Sequence, residues 1–433
     1  MVIRFLHKGI NSVRQNTALS QLISNTSWLF LEQILRMSVT LFVSIWIVRY
    51  LGPSGYGLLS YAQSIFTITG AVASLGLDQI LVREYVKNDI PKEVILGTAF
   101  GLKFLTAVSV LLCLLLSVFF QRELQTGILI LIVSSGMVFQ TFNVIGFLFQ
   151  AEMRSKFSAL SNMIGFVLMT VVKITLLLAQ APLMYFAVAT VLDLAINAVC
   201  LGYFYRVHLK DTIKQWTFNT KVAIQFLQEG WPLILTGISA NIAMRIDQII
   251  LKSYFDAAAV GVYAAGVRLA EVFTFIPMVV GNSVYPKIVA LNFPEDERRM
   301  DNIIRYVFFF LVVLAVFINI IASYTVQLLY GREFNVSASV LNILIWMVPF
   351  IYLTVISNKL LMKVNRSRVI FFRQLYLAGF NIFLNLILIP SYGVVGSAIA
   401  TVISVVMVLV LEYFSKETRW IFRLKLKALL YLD

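Results

Sequence analysis

Glu32, Arg36, Lys103, Lys173, Asp193, Arg245, Asp247, Arg268 and Glu271 all fall inside long apolar runs. An ionised group at the centre of a bilayer costs about 3 kcal/mol on insertion scales, so such side chains face a partner or a polar cavity. Guanidinium and ammonium groups placed there can hold a phosphate, the guanidinium through two parallel hydrogen bonds. Carboxylates can take up a proton or a metal cation. Glu32 with Arg36, and Arg268 with Glu271, have the i,i+4 and i,i+3 spacing of an ion pair on one helix face, so a structural pair and a ligand contact are both open for each. Lys103 and Lys173 have no acid within a turn on their own helix, which favours a place on a cavity wall. Arg245 and Asp247 are two residues apart and point to different sides of their helix. One therefore faces a cavity while the other ties the helix to its neighbour.

The candidate binding set is thus Arg36, Lys103, Lys173, Arg245 and Arg268, and it slightly outweighs the acids around it. A weakly cationic interior suits an anionic head group. Asp247, Asp193 and Glu32 are the candidates for taking up a coupling ion, H⁺ or Na⁺, and no other cofactor is expected. The two histidines, His7 and His208, sit among basic loop residues and do not form a metal site.

These groups need elements to hold them. The chain is 60% apolar and only 13% charged, about half the charged fraction of a soluble domain. A helical crossing takes about 20 mostly apolar residues. Twelve such runs account for the sequence, at about residues 22 to 49, 56 to 79, 95 to 119, 127 to 149, 158 to 180, 183 to 205, 224 to 251, 259 to 285, 303 to 325, 337 to 362, 369 to 389 and 393 to 414. The expected fold is an all-α polytopic membrane protein of twelve transmembrane helices. Lys and Arg crowd every second loop, leaving Arg49, Arg122, Lys252 and Arg332 on the other side; the positive-inside rule then places both termini in the cytoplasm. The net charge of +14 reports orientation rather than nucleic-acid binding. Cys113 and Cys200 both lie in apolar runs, so no disulfide framework is implied.

The polar stretch from His208 to Lys221 divides the spans six and six. Tyr50 precedes Gly57 by seven residues and Tyr254 precedes Gly261 by seven; Arg154-Ser155-Lys156 and Arg366-Ser367-Arg368 follow the fourth and tenth spans; Ala189-Thr190 and Ala400-Thr401 lie early in the sixth and twelfth. An even number of spans per half makes the repeat parallel, with a pseudo-two-fold axis along the membrane normal. The expected units are an interfacial amphipathic helix over 1–21, an N-terminal lobe over 22–207, a cytoplasmic linker over 208–223, a C-terminal lobe over 224–415 and a basic cytoplasmic tail over 416–433. Pro232, Pro277 and Pro349 interrupt spans of the second lobe only, marking candidate hinges.

No loop is large enough for a catalytic domain, which counts against a membrane glycosyltransferase or polymerase. The string from Gly52 to Gly57 is glycine-rich, but it has no preceding strand and no following Lys-Ser/Thr, so it is a turn rather than a phosphate loop.

Three stretches carry a family likeness. Val48-Arg49-Tyr50-Leu51-Gly52-Pro53-Ser54-Gly55-Tyr56-Gly57, Arg245-Ile246-Asp247-Gln248 followed by Val260-Gly261-Val262-Tyr263-Ala264-Ala265, and Pro390-Ser391-Tyr392-Gly393 through Thr401 resemble the multidrug/oligosaccharidyl-lipid/polysaccharide exporter superfamily, and within it the Wzx-type flippases. The resemblance implies two six-helix lobes in a V, opening alternately to each face of a bacterial inner membrane. It implies a cationic central cavity for the head of a polyprenyl-diphosphate-linked oligosaccharide, an O-antigen or capsule repeat unit, with the tail in the phospholipid bilayer. A polysaccharide polymerase and a chain-length regulator are the protein partners it brings. A cation-coupled multidrug or small-solute antiporter of the same superfamily stays open beside it, and so does a non-transporting scaffold in polysaccharide assembly.

Overall fold

The computed structural model describes residues 17–119, 123–209, 213–290 and 297–430; side chains are described from Arg36 onward, save at 213, 286, 287, 290, 297–299 and 367. Most of the expected amphipathic segment 1–21 therefore lies outside the described residues. Where description begins, Thr17 is already part of the first long helix.

The described residues are helical, without strands. In chain order the α-helices are α1 (Thr17–Ser74), α2 (Asp78–Lys87), α3 (Lys92–Val118), α4 (Leu124–Gln140), α5 (Asn143–Ala151), α6 (Lys156–Leu178), α7 (Leu183–Leu209), α8 (Thr220–Tyr254), α9 (Ala257–Ala290), α10 (Glu297–Tyr330), α11 (Asn335–Leu344), α12 (Met347–Lys363), α13 (Ser367–Phe414) and α14 (Arg419–Leu430). By length and apolarity, nine helical stretches among the described residues can cross a membrane, or ten if α11 and α12, bent by 41° at their junction, make one span. Pro349, just inside α12, cannot continue the ladder of the turn before it, which fits the bend.

Two of these helices double back. In α13, Gly393 adopts φ 57° and ψ −135°, a region open to glycine and costly for other residues. Ser397 then donates to Asn385 Oδ1 at 3.1 Å, although a straight helix would hold residues twelve apart at about 18 Å. In α1, Gly52 has φ 64° and is followed by Pro53. Thr40 and Ser64, one from each arm, border cavities that share Arg268 and Glu271, where a straight helix would separate them by about 36 Å.

Apolar side chains gather into one large core cluster, built chiefly by α9 to α14 with Ile45, Val48 and the end of α8, and into smaller clusters of α1 to α7, one of which takes in Phe226 of α8. The two halves meet at the glycines that the sequence repeat pairs. A Cβ on Gly57 would overlap the Ala257 carbonyl, and one on Gly261 would overlap the Pro53 carbonyl. The repeat signal is thus a backbone-to-backbone crossing, where any side chain forces the helices apart. Gly57→Leu is expected to separate α1 from α9 and to lower the melting temperature of the purified protein, whereas a leucine at Gly202, which has open space around it, leaves it within error.

Helix α8 belongs to both halves. Its start is fixed to the first: Phe226 is buried in the cluster of α2, α3 and α5, Arg83 pairs with Glu229, and the Asn219 N–H donates to Thr98 Oγ1 at 3.0 Å. Its end, with Ile250 and Leu251, lies in the core of the second. Pro232 stands between the two anchorages. The segment before α8 is equally docked: the Trp216 indole donates to the Tyr205 hydroxyl at 3.1 Å, and Phe218 packs on Gly101. The residues read as a basic tail also fold onto the protein. Helix α14 buries Ile421, Leu424, Lys425 and Ala428, and the Ala428 carbonyl accepts from Arg305 at 2.6 Å.

Candidate functional site

Between the two halves lie two adjoining polar cavities that share Arg268 and Glu271. The first, of about 210 Å³, is lined by Tyr56, Ser60, Gln63, Ser64 and Thr67 of α1, Thr190 of α7, Arg245 and Gln248 of α8, and Arg268 and Glu271 of α9. The second, of about 470 Å³, adds Arg36, Thr40 and Leu41 from the other arm of α1. Ser64 donates to Gln248 Oε1 at 2.9 Å and closes the first cavity across the two halves.

The charges pair differently from their sequence spacing. Glu271 takes Arg245, with Arg245 Nη2 at 3.1 Å from Glu271 Oε1, and not Arg268 three residues away on its own helix. Both side chains of that pair stay about a quarter exposed, so water and ligand can reach them. Arg268 is left without an ion pair or hydrogen bond to a described residue. The Arg36 guanidinium lies 5.5 Å from the centre of the Phe166 ring, a cation–π contact that leaves its N–H edges free to bond. Three guanidinium groups against one carboxylate leave this cavity with a surplus of two positive charges among the described residues.

The structure brings together Arg36, Arg245 and Arg268 of the expected binding set. Lys173, on α6, feels the charges of Asp193 and Arg268 but is not among the residues lining either cavity. Asp193 presents its carboxylate to Gly165 on α6, at 3.3 Å from where a Cβ there would stand. The side chain of Glu32 lies outside the described residues. Lys103 is elsewhere and has an acidic partner from another helix: it donates to Asp78 Oδ1 at 2.7 Å.

Asp247 points away from the arginines, as its two-residue offset from Arg245 requires. It is buried in the second half, where it accepts from the Gln248 N–H at 2.8 Å and from the Tyr263 hydroxyl. It lines a mainly apolar cavity of about 280 Å³ with Met244, Asn381, Thr401 and Glu271, the last shared with the two arginine cavities. Of the candidate hinges, Pro232 and Pro277 lie within α8 and α9, and Pro349 stands at the α11–α12 bend.

One buried cluster escaped the sequence reading. Glu412, fully buried, lies 2.7 Å from Arg373 Nη2 and also pairs with Lys425. Lys425 in turn donates to Ser357 Oγ at 2.8 Å. Arg373 and Lys425 had the look of loop cations that set orientation. The available signal was Glu412, the one acid in the last long apolar run.

Apolar helices enclosing a polar, guanidinium-lined cavity between two halves define a polytopic membrane carrier. The chain belongs to the polysaccharide biosynthesis protein family, whose model matches residues 22–292. Three curated relatives are similar to it. The probable low-salt glycan biosynthesis flippase Agl15 of Haloferax volcanii is 23% identical over 175 residues, 40% of this chain. The probable flippase AglR of the same organism is 21% identical over 382 residues, 84% of this chain and 77% of that protein. The putative O-antigen transporter of Shigella flexneri is 19% identical over 216 residues, 49% of this chain and 51% of that protein. The chain spans 37% of the length of Agl15. Among solved structures, the lipid II flippase MurJ in an inward closed conformation superposes with a TM-score of 0.75 at 16% identity, covering 92% of this chain and 90% of that one. An inward-facing multidrug MATE transporter does so with 0.67 at 17% identity, covering 90% and 95%. The fold is therefore that of the MOP superfamily.

Proposed function

We propose that this protein is a flippase that carries a polyprenyl-diphosphate-linked oligosaccharide from the inner to the outer leaflet of a cytoplasmic membrane by alternating access. The observation that carries this reading is the convergence of Arg36, Arg245 and Arg268, from both halves, on adjoining cavities that hold one carboxylate among the described residues. A diphosphate offers oxygens for two guanidinium forks at once. A cationic drug would meet net repulsion there, which counts against the multidrug reading. The Shigella relative makes an O-antigen repeat unit one reading of the glycan; Agl15, named for a low-salt glycan, supports another.

With the reversals at Gly52 and Gly393 taken as turns on one side, the ten apolar stretches become twelve crossings. The Arg83 end then faces the cytoplasm together with both termini. Outward movement of a diphosphate carries negative charge away from a negative interior, and each charge gains about 2.3 kcal/mol per 100 mV. Asp247, on the other side of α8 from Arg245 and lining a cavity that shares Glu271 with the arginine cavities, is the group placed to take up H⁺ or Na⁺ as the empty carrier resets.

The test is flipping of a fluorescent glycosyl-diphosphate lipid in proteoliposomes under imposed gradients. Transport should rise with an inside-negative potential and respond to a pH or Na⁺ gradient, and Asp247→Asn should remove the gradient response. Transport that follows voltage and ignores both gradients refutes the coupling role.

A further inference from the structure

A polar cavity in the first half lies apart from the arginines. It has a volume of about 220 Å³ and is lined by Ser74, Asp78, Lys103, Gln140, Asn143 and Phe147, among others. Lys103 is buried, with its ammonium 2.7 Å from Asp78 Oδ1 and 5.1 Å from the centre of the Phe147 ring. Asp78 is half exposed, and its second carboxylate oxygen is not engaged by Lys103. The side-chain amides of Gln140 and Asn143 make no hydrogen bond to a described residue, and each offers two donors and an acceptor.

The Lys103–Asp78 pair cancels in charge, so the cavity offers a diphosphate little net attraction. It offers a neutral polyol a great deal: a carboxylate oxygen and two amides for hydroxyl groups, and an aromatic ring for an apolar C–H face. Pockets that recognise such ligands combine a few convergent polar groups with an aromatic wall. The cavity is also in the right place. Thr67 borders the arginines and Ser74 borders this cavity, on one helix arm, seven residues or about 10 Å apart.

We propose that this cavity is a saccharide subsite, holding one pyranose of the carried glycan while the diphosphate rests on Arg36, Arg245 and Arg268. This rests on the flippase reading. Lys103 is then a sugar-positioning group and not a phosphate ligand.

The experiment measures binding to the full chain in nanodiscs with two kinds of probe. One is farnesyl diphosphate; the others are farnesyl-diphosphate-linked glucose, galactose and N-acetylglucosamine. For at least one sugar the wild type should bind the glycosylated probe more tightly than the bare diphosphate. Asn143→Ala and Gln140→Leu should each reduce that gain about five- to tenfold, the worth of a lost hydrogen bond, and leave farnesyl diphosphate binding unchanged. Asn143 is exposed, so its replacement does not threaten the fold. A gain that both variants keep in full, or no gain with any of the three sugars, overturns the subsite. Failure of the wild type to bind even the bare diphosphate overturns the flippase reading as well, and so separates the two.

Discussion

Arg268→Ala is expected to weaken binding of farnesyl diphosphate by about 30-fold or more, the loss of one partner from a desolvated charge pair, while the protein stays folded in the membrane. Arg245 is already paired with Glu271 at 3.1 Å, and Arg36 rests on the face of Phe166 with its N–H edges free. Arg268 borders both cavities and has no ion pair or hydrogen bond to a described side chain. Removing it halves the surplus positive charge. Arg268→Lys should recover only part of the loss, because an ammonium keeps the charge but not the planar fork. Glu271→Gln should act in the opposite direction by freeing Arg245. Binding isotherms at low and physiological salt check both, since a charge-driven loss shrinks as salt rises.

Glu412→Ala is expected to destabilise the protein by about 3–5 kcal/mol, the cost of breaking a buried ion pair from one side. Glu412 is fully buried between Arg373 and Lys425, so its loss leaves two buried cations facing each other. Burial already pushes the Lys425 ammonium, on α14 outside the spans, down to about 8 against the pull of Glu412; without the carboxylate it sheds its proton more readily. The cluster joins α12 through Ser357, both arms of α13 and the C-terminal helix, so the second half should lose cooperativity and α14 should detach. Unfolding in detergent, followed by far-UV circular dichroism and by proteolysis near Ser415, measures this. Replacing Arg373, Glu412 and Lys425 together by apolar residues of similar volume should cost much less, because no charge is then left unpaired.

Much of this was legible in the sequence. Apolar runs identify membrane helices because the bilayer demands internal backbone hydrogen bonds. The matched Gly57 and Gly261 were legible as repeat positions, and that they cross each other backbone to backbone is seen only in the structure. The divergence of Arg245 and Asp247 followed from helical geometry alone. What the sequence concealed is partner choice between helices. Glu271 sits at ion-pair spacing from Arg268 yet bonds Arg245, and Lys103 meets Asp78 from a different helix; neither choice leaves a local pattern. Arg373 and Lys425 were hidden for a related reason: cations at a membrane edge look the same in sequence whether they meet water or a buried carboxylate.

Carriage of a glycosyl diphosphate across the membrane is the role proposed for the arginine cavity. It is tested most directly by reconstituting the wild type and the Arg36→Ala, Arg245→Ala and Arg268→Ala variants in proteoliposomes, and by measuring how fast a fluorescent lipid-linked oligosaccharide becomes accessible on the far leaflet. The account predicts protein-dependent flipping in the wild type that each substitution reduces at least tenfold, with melting temperatures unchanged. Flipping at the wild-type rate in all three variants would contradict it.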